Sequence, residues 1–138
     1  MTLPMHDLKV LLVDDVPQAA KLLQMVFNGL GVHQVFIARD GLAAQEFLDA
    51  ADDGEQVDLI VCDWKMPRMS GLALLRQVRT VYPDMPFMMV TGNAEAESVK
   101  AAIELGVDAY ITKPFSPRQV QEKLLVMMNS IERKAAAN

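Results

Sequence analysis

Short runs of apolar and β-branched residues alternate with longer stretches in which apolar positions recur every three or four residues. The runs predict strands over Lys9 to Val13, Gln34 to Ala38, Asp58 to Cys62, Phe87 to Val90 and Val107 to Ile111. Most of them are too continuously apolar for a strand with one wet face. They suit a parallel sheet covered by helices on both sides.

Between the runs, Leu22, Leu23, Val26, Phe27 and Leu30 share one face of a first helix, and Pro17 is pre-set for its first turn. A second helix over about Leu42 to Ala50 buries Phe47 and Leu48. A third starts after Ser70-Gly71 with Ser70 as its N-cap, turns Leu75, Val78 and Val81 inward, and stops at Pro83. The fourth, about Ala94 to Leu105, is Ala-rich and thinly apolar, which predicts the least firmly packed element, closed by Gly106. The fifth carries the stripe Val120, Leu124, Met128 and Ile131 from about Ser116 to Glu132, and leaves a short tail. Met25, Met88, Met89 and Met128 read as core fillers. These β-α units, joined by right-handed crossovers, make an open doubly wound α/β sheet. Such sheets bind ligands where the carboxyl ends of the strands meet at a switch point.

A length of 138 residues matches one domain, and 51% hydrophobic content supplies a full core without disulfides or structural metals. The balance of 13 basic against 18 acidic residues, net charge −5, provides no basic field for nucleic acid or an anionic membrane. No apolar run approaches a membrane span or a secretory signal. The single cysteine, Cys62, reads as a small buried hydrophobe, and a cytoplasmic location is expected.

Chemistry concentrates at strand ends. The first strand ends in Asp14-Asp15, the third in Asp63 and the fourth in Thr91-Gly92, while the fifth runs through Tyr110 to Lys113-Pro114. Each alone is an ordinary turn piece. A doubly wound sheet brings them to one edge, so three carboxylates, a hydroxyl and an ammonium converge. Burying three carboxylates together forces protonation unless a cation compensates, and all-oxygen ligands select a hard ion such as Mg²⁺. No His/Cys cluster favours zinc: His6 and His33 read as surface residues. With Asp14 and Asp15 on the metal, Asp63 is placed to attack phosphorus, Lys113 to meet a phosphoryl oxygen and Thr91 to donate its hydroxyl.

The runs Val10 to Asp15, Cys62 to Gly71, Val90 to Gly92 and Ala109 to Phe115 resemble response-regulator receiver domains of bacterial two-component signalling, over roughly Leu8 to Ile131. The resemblance implies a flavodoxin-like sheet in the order 2-1-3-4-5. It implies that Asp63 accepts a phosphoryl group from a phosphohistidine of a sensor histidine kinase or histidine phosphotransfer protein. Mg²⁺ would be held by Asp14 or Asp15, Asp63 and the Lys65 backbone carbonyl. A cis bond is expected at Lys113-Pro114, with Thr91 and Tyr110 as a switch pair that remodels the surface of the fourth helix, fifth strand and fifth helix. Lys65 stands where some members carry a small or amide residue, and its charge would shield the acyl phosphate from water. Trp64 resembles the motility-type receivers.

With no output domain expected, signalling runs through an unknown downstream effector protein, and the chain is expected to be a monomer or weak homodimer. The alternatives within this reading are a phosphorelay shuttle, a phosphate sink and a phosphorylation-independent scaffold. A flavodoxin-like cofactor module fits poorly, because Asp14-Asp15 would repel an anionic cofactor. An aspartate-nucleophile phosphohydrolase wants a substrate cap, for which no residues remain. The protein is otherwise expected to be no enzyme beyond its own phosphotransfer and autodephosphorylation.

Overall fold

A computed structural model describes residues 5–50, 57–92 and 96–137. Strands β1 (Lys9–Val13), β2 (Gln34–Ala38), β3 (Leu59–Cys62), β4 (Phe87–Thr91) and β5 (Ala109–Thr112) alternate with helices α1 (Pro17–Gly29), α2 (Gly41–Ala50), α3 (Gly71–Val81), α4 (Ala96–Glu104) and α5 (Pro117–Ala137). All strand pairs are parallel, in the order β2-β1-β3-β4-β5. This is the doubly wound sheet that the sequence pattern predicts, in the flavodoxin-like order that the resemblance implies.

The period of two along β1 sorts its side chains onto two layers. Val10 and Leu12 face Leu23 and Phe27 of α1 and Val120, Leu124, Met128 and Ile131 of α5. Leu11 and Val13 face Leu48 of α2, Leu74, Leu75 and Val78 of α3, and Ala102 of α4. Each fully buried Leu or Phe here contributes about 1.5–3 kcal/mol, so the central strands form the rigid platform from which loops project. β3 and β4 are buried at every position. β2 is not: Phe36 and Ile37 are exposed, because this strand lies at the sheet's edge beside β1 and is only partly covered.

Helix ends follow local chemistry. Ser70 caps α3, its Oγ accepting from Ala73 N at 3.1 Å. Gly106 takes a φ of +80°, the left-handed turn that lets Val107 N reach back to Ala102 O and close α4.

Several sequence expectations need correction. Leu22 (53% exposed) and Met25 (61%) lie on the outer side of α1, since its inward arc is filled by Ala20, Leu23 and Phe27. Val81, 57% exposed, turns outward in the last turn of α3. Phe47 is only partly buried, tilted against Phe36 with ring centroids 5.2 Å apart. β5 starts at Ala109 instead of Val107, and α5 continues to Ala137, beyond Glu132. The expected start of the fourth helix at Ala94-Glu95 lies outside the described residues. Among the described residues no helix is long and apolar enough to cross a membrane.

Candidate functional site

The sheet ladder continues one residue past two adjacent strands. Asp14 N donates to Ala38 O at 3.1 Å and Asp63 N donates to Val13 O at 2.9 Å. The backbone of both aspartates is thereby fixed at the carboxyl edge. Asp14 Oδ1 accepts from Val16 N at 2.9 Å, a local turn that leaves Oδ2 facing inward, and Asp63 Oδ1 accepts from Trp64 N at 2.7 Å. Gly71 opens α3 directly beneath this point, donating to Trp64 O at 2.7 Å. A Cβ at position 71 would collide with the Asp63 carbonyl, so glycine is required there.

Asp14, Asp15 and Asp63 each offer a carboxylate oxygen, and these atoms lie within 4.8 Å of one another. Asp14 is 3% exposed, Asp63 half-buried and Asp15 exposed. Lys113 lies across them, Nζ 3.4 Å from Asp14 Oδ2 and 3.6 Å from Asp63 Oδ2. Its backbone is tied to β4 by Lys113 N donating to Thr91 O at 2.8 Å, and the Lys113-Pro114 bond is cis as expected. Burial pushes the Asp14 carboxyl above the usual aspartate value; the Val16 N–H and the Lys113 ammonium oppose this, and the Asp63 charge adds to it. One ammonium thus faces three acids, a deficit that a hard divalent cation corrects. The oxygen donors present fit such an ion. His6 and His33 are exposed and Cys62 is buried with its thiol pushed well up by burial, so no softer ligand set competes at this edge.

Thr91 closes β4, 1% exposed, one register position beyond Val90, which pairs with Ile111. Tyr110 is partly buried among the residues packed on the α2–α4 side of the sheet, together with Trp64, Met66 and Met69. Burial and, secondarily, the Asp63 charge push its phenol upward. The Lys65 side chain is exposed in the loop after Asp63. Of the residues singled out in the sequence, the structure therefore brings Asp14, Asp15, Asp63 and Lys113 into one cluster, with Thr91 at the same sheet edge.

Two neighbours escaped the sequence reading. Asp40 caps α2, its Oδ1 accepting from Ala43 N at 2.9 Å, and Arg68 pairs with its Oδ2 from the loop after β3. An Asp-Gly pair ahead of a helix was a readable signal for the cap. Nothing local marks the partner, 28 positions away.

Fold and site together define a doubly wound α/β protein with an acidic cluster at the switch edge of its sheet. The chain belongs to the response regulator receiver domain family, whose model matches residues 10–125. It is 37% identical over 119 residues to a chemotaxis protein CheY homolog of Campylobacter jejuni, covering 85% of this chain and 89% of that protein. Chemotaxis protein CheY1 of Helicobacter pylori is 34% identical over 125 residues, covering 89% and 98%. Among solved structures, a CheY-like receiver domain protein from Methanospirillum hungatei superposes with a TM-score of 0.82 at 30% identity, covering 92% of this chain and 98% of that one. The receiver domain of a Syntrophus aciditrophicus signal transduction histidine kinase gives 0.79 at 28% identity, covering 91% and 92%. The protein is a phosphorylation-dependent signalling switch of this family.

Proposed function

We propose that Asp63 accepts a phosphoryl group from a phosphohistidine, carried by a sensor histidine kinase or a histidine phosphotransfer protein, in a Mg²⁺-dependent step. The observation that carries this reading is the convergence of the Asp14, Asp15 and Asp63 carboxylates within 4.8 Å beside the Lys113 ammonium. Asp14, Asp15, Asp63 and the Lys65 carbonyl would hold the metal, which when bound offsets charge on the phosphoryl oxygens. A carboxylate oxygen of Asp63 forms the new O–P bond as the P–N bond breaks. The electron pair returns to the imidazole nitrogen, which takes up a proton. Lys113 neutralises an equatorial phosphoryl oxygen, because its ammonium already lies 3.6 Å from Asp63 Oδ2. Thr91 donates its hydroxyl to another.

The acyl phosphate adds about two negative charges at the rim. Thr91 and the partly buried Tyr110 ring respond as a pair, altering the α4-β5-α5 surface and hence which effector protein binds. α4 suits this role: Ile103 is 63% exposed, while Ala102 is fully buried. The names of the curated relatives favour a chemotaxis-type effector over a phosphorelay shuttle. The chain would act in the cytoplasm, and its only chemistry of its own would be phosphoryl uptake and loss.

Phosphoramidate, whose P–N bond stands in for phosphohistidine, tests the donor chemistry. Intact-mass spectra are expected to show one phosphoryl adduct in the presence of Mg²⁺ and none in Asp63→Asn. An equal adduct in the variant would refute the assignment.

A further inference from the structure

We propose that Asp40 and Arg68 form a positioning pair for the metal site, an ionic strap between α2 and the loop after β3. The strap sets the orientation of that loop's backbone toward a cation held by Asp14, Asp15 and Asp63. It rests on the Mg²⁺ reading above.

The loop leaves β3 at Asp63 and is clipped at its base, where Gly71 N donates to Trp64 O at 2.7 Å. Beyond the clip its tip reaches across to α2. Arg68 Nε donates to Asp40 Oδ2 at 2.7 Å, and Nη2 lies 2.6 Å from the same oxygen. Asp40 is nearly fully buried and its other oxygen caps α2, so the acceptor is held still by the helix it starts. Beside it, Met69 packs so tightly on Gly41 that a Cβ there would come within 2.8 Å of the Met69 side chain.

Arg68 adopts a φ of 67°, the left-handed region that a long side chain rarely takes. The guanidinium's hold on Asp40 offsets that strain. The pair is buried only at its Asp40 end, the Arg68 side chain being 53% exposed, and such a half-exposed pair adds little stability, so its distinctive contribution is fixed geometry. Lys65 lies in the short segment between the clip at Trp64 and the strap at Arg68, so both constraints act on the backbone that carries its carbonyl. Mg²⁺ demands near-ideal octahedral ligands, so a loop released at the tip loses affinity for it.

The test is a Mg²⁺ titration of the full chain, followed by the amide NMR shifts of Asp14, Asp15 and Asp63, paired with thermal unfolding in EDTA. Arg68→Asn tolerates the left-handed backbone but is too short to reach Asp40. Asp40→Asn keeps an oxygen for Ala43 N and removes the charge. Each is expected to weaken Mg²⁺ binding about ten-fold, the lower end of the effect of losing a supporting contact at a metal site. The double variant should be no weaker than either single one, and Arg68→Lys should recover part of the loss. Wild-type affinity in both Asn variants would overturn the strap and leave the metal site standing, and so would a lowered EDTA midpoint with unchanged Mg²⁺ affinity. A wild-type chain whose amides do not respond to Mg²⁺ would overturn the metal reading and the strap with it.

Discussion

The two edges of the sheet carry the same residue type in opposite circumstances. At the amino-terminal edge, each of two aspartates has donors of its own. Asp58 Oδ2 accepts from Lys9 N at 2.9 Å, while Asp108 Oδ2 accepts from Phe87 N at 2.8 Å and from Arg79 at 3.2 Å. Arg79 also donates to the carbonyls of Met85, Leu105 and Gly106, binding α3 to the turn before β4 and to the turn between α4 and β5. At the carboxyl edge, Asp14, Asp15 and Asp63 face one another across a single ammonium. An aspartate beside a strand therefore says little about chemistry. Carboxylates converging beyond the supply of local donors and cations say a great deal, because folding tolerates them only for what they bind.

The largest expected effect separates the edges outright. Asp63→Asn should abolish phosphorylation by acetyl phosphate, whereas Asp58→Asn, equally a lost carboxylate, should leave it at the wild-type level; intact-mass spectra read both. Removing the rim's cation comes next: Lys113→Ala should slow single-turnover phosphorylation about a hundred-fold, as loss of one transition-state donor does. The opposite edge should respond in stability alone. Urea unfolding of Arg79→Ala is expected to show a loss of about 2 kcal/mol from its several partly buried hydrogen bonds, with Mg²⁺-dependent phosphorylation of the folded protein unchanged.

The smallest effect has the reverse sign. In EDTA, Asp14→Asn should be more stable than wild type by about 1 kcal/mol, since it removes a buried charge beside Asp63, while Mg²⁺ binding is lost. Asp14's carboxyl is held above its usual value, so its ionised form destabilises the fold at every pH above the folded value. That penalty shrinks as pH falls and is gone below the unfolded value of about 3.9. The advantage of the variant should vanish on the same path. An advantage that grew on acidification would contradict the electrostatic picture of the rim.

Most of the fold was legible because the central strands are buried on both faces. Val10 to Val13 and Leu59 to Cys62 admit no polar residue, and a parallel sheet is the structure that accommodates such runs. The site was legible for a related reason: Asp14, Asp63 and Thr91 each end or follow one of these strands, so topology carries them to one edge. Exposure at the helix margins was harder to read. Leu22 and Met25 satisfy the three- and four-residue spacing as well as Leu23 does, and only the angle at which α1 meets the sheet decides among them. β2 has the composition of a covered strand, yet its place at the edge follows from strand order, which periodicity does not encode. The Asp40–Arg68 contact was illegible because it joins a helix cap to a loop tip through tertiary placement alone.

The most direct test of the central claim locates the phosphoryl group itself. Wild-type protein exposed to acetyl phosphate with Mg²⁺ or with EDTA is treated with borohydride, which reduces an aspartyl phosphate to homoserine, and then mapped by peptide mass spectrometry. Homoserine at position 63 in the Mg²⁺ sample and nowhere in the EDTA sample is the predicted result. Homoserine at another aspartate, or equal conversion without the metal, would contradict the account.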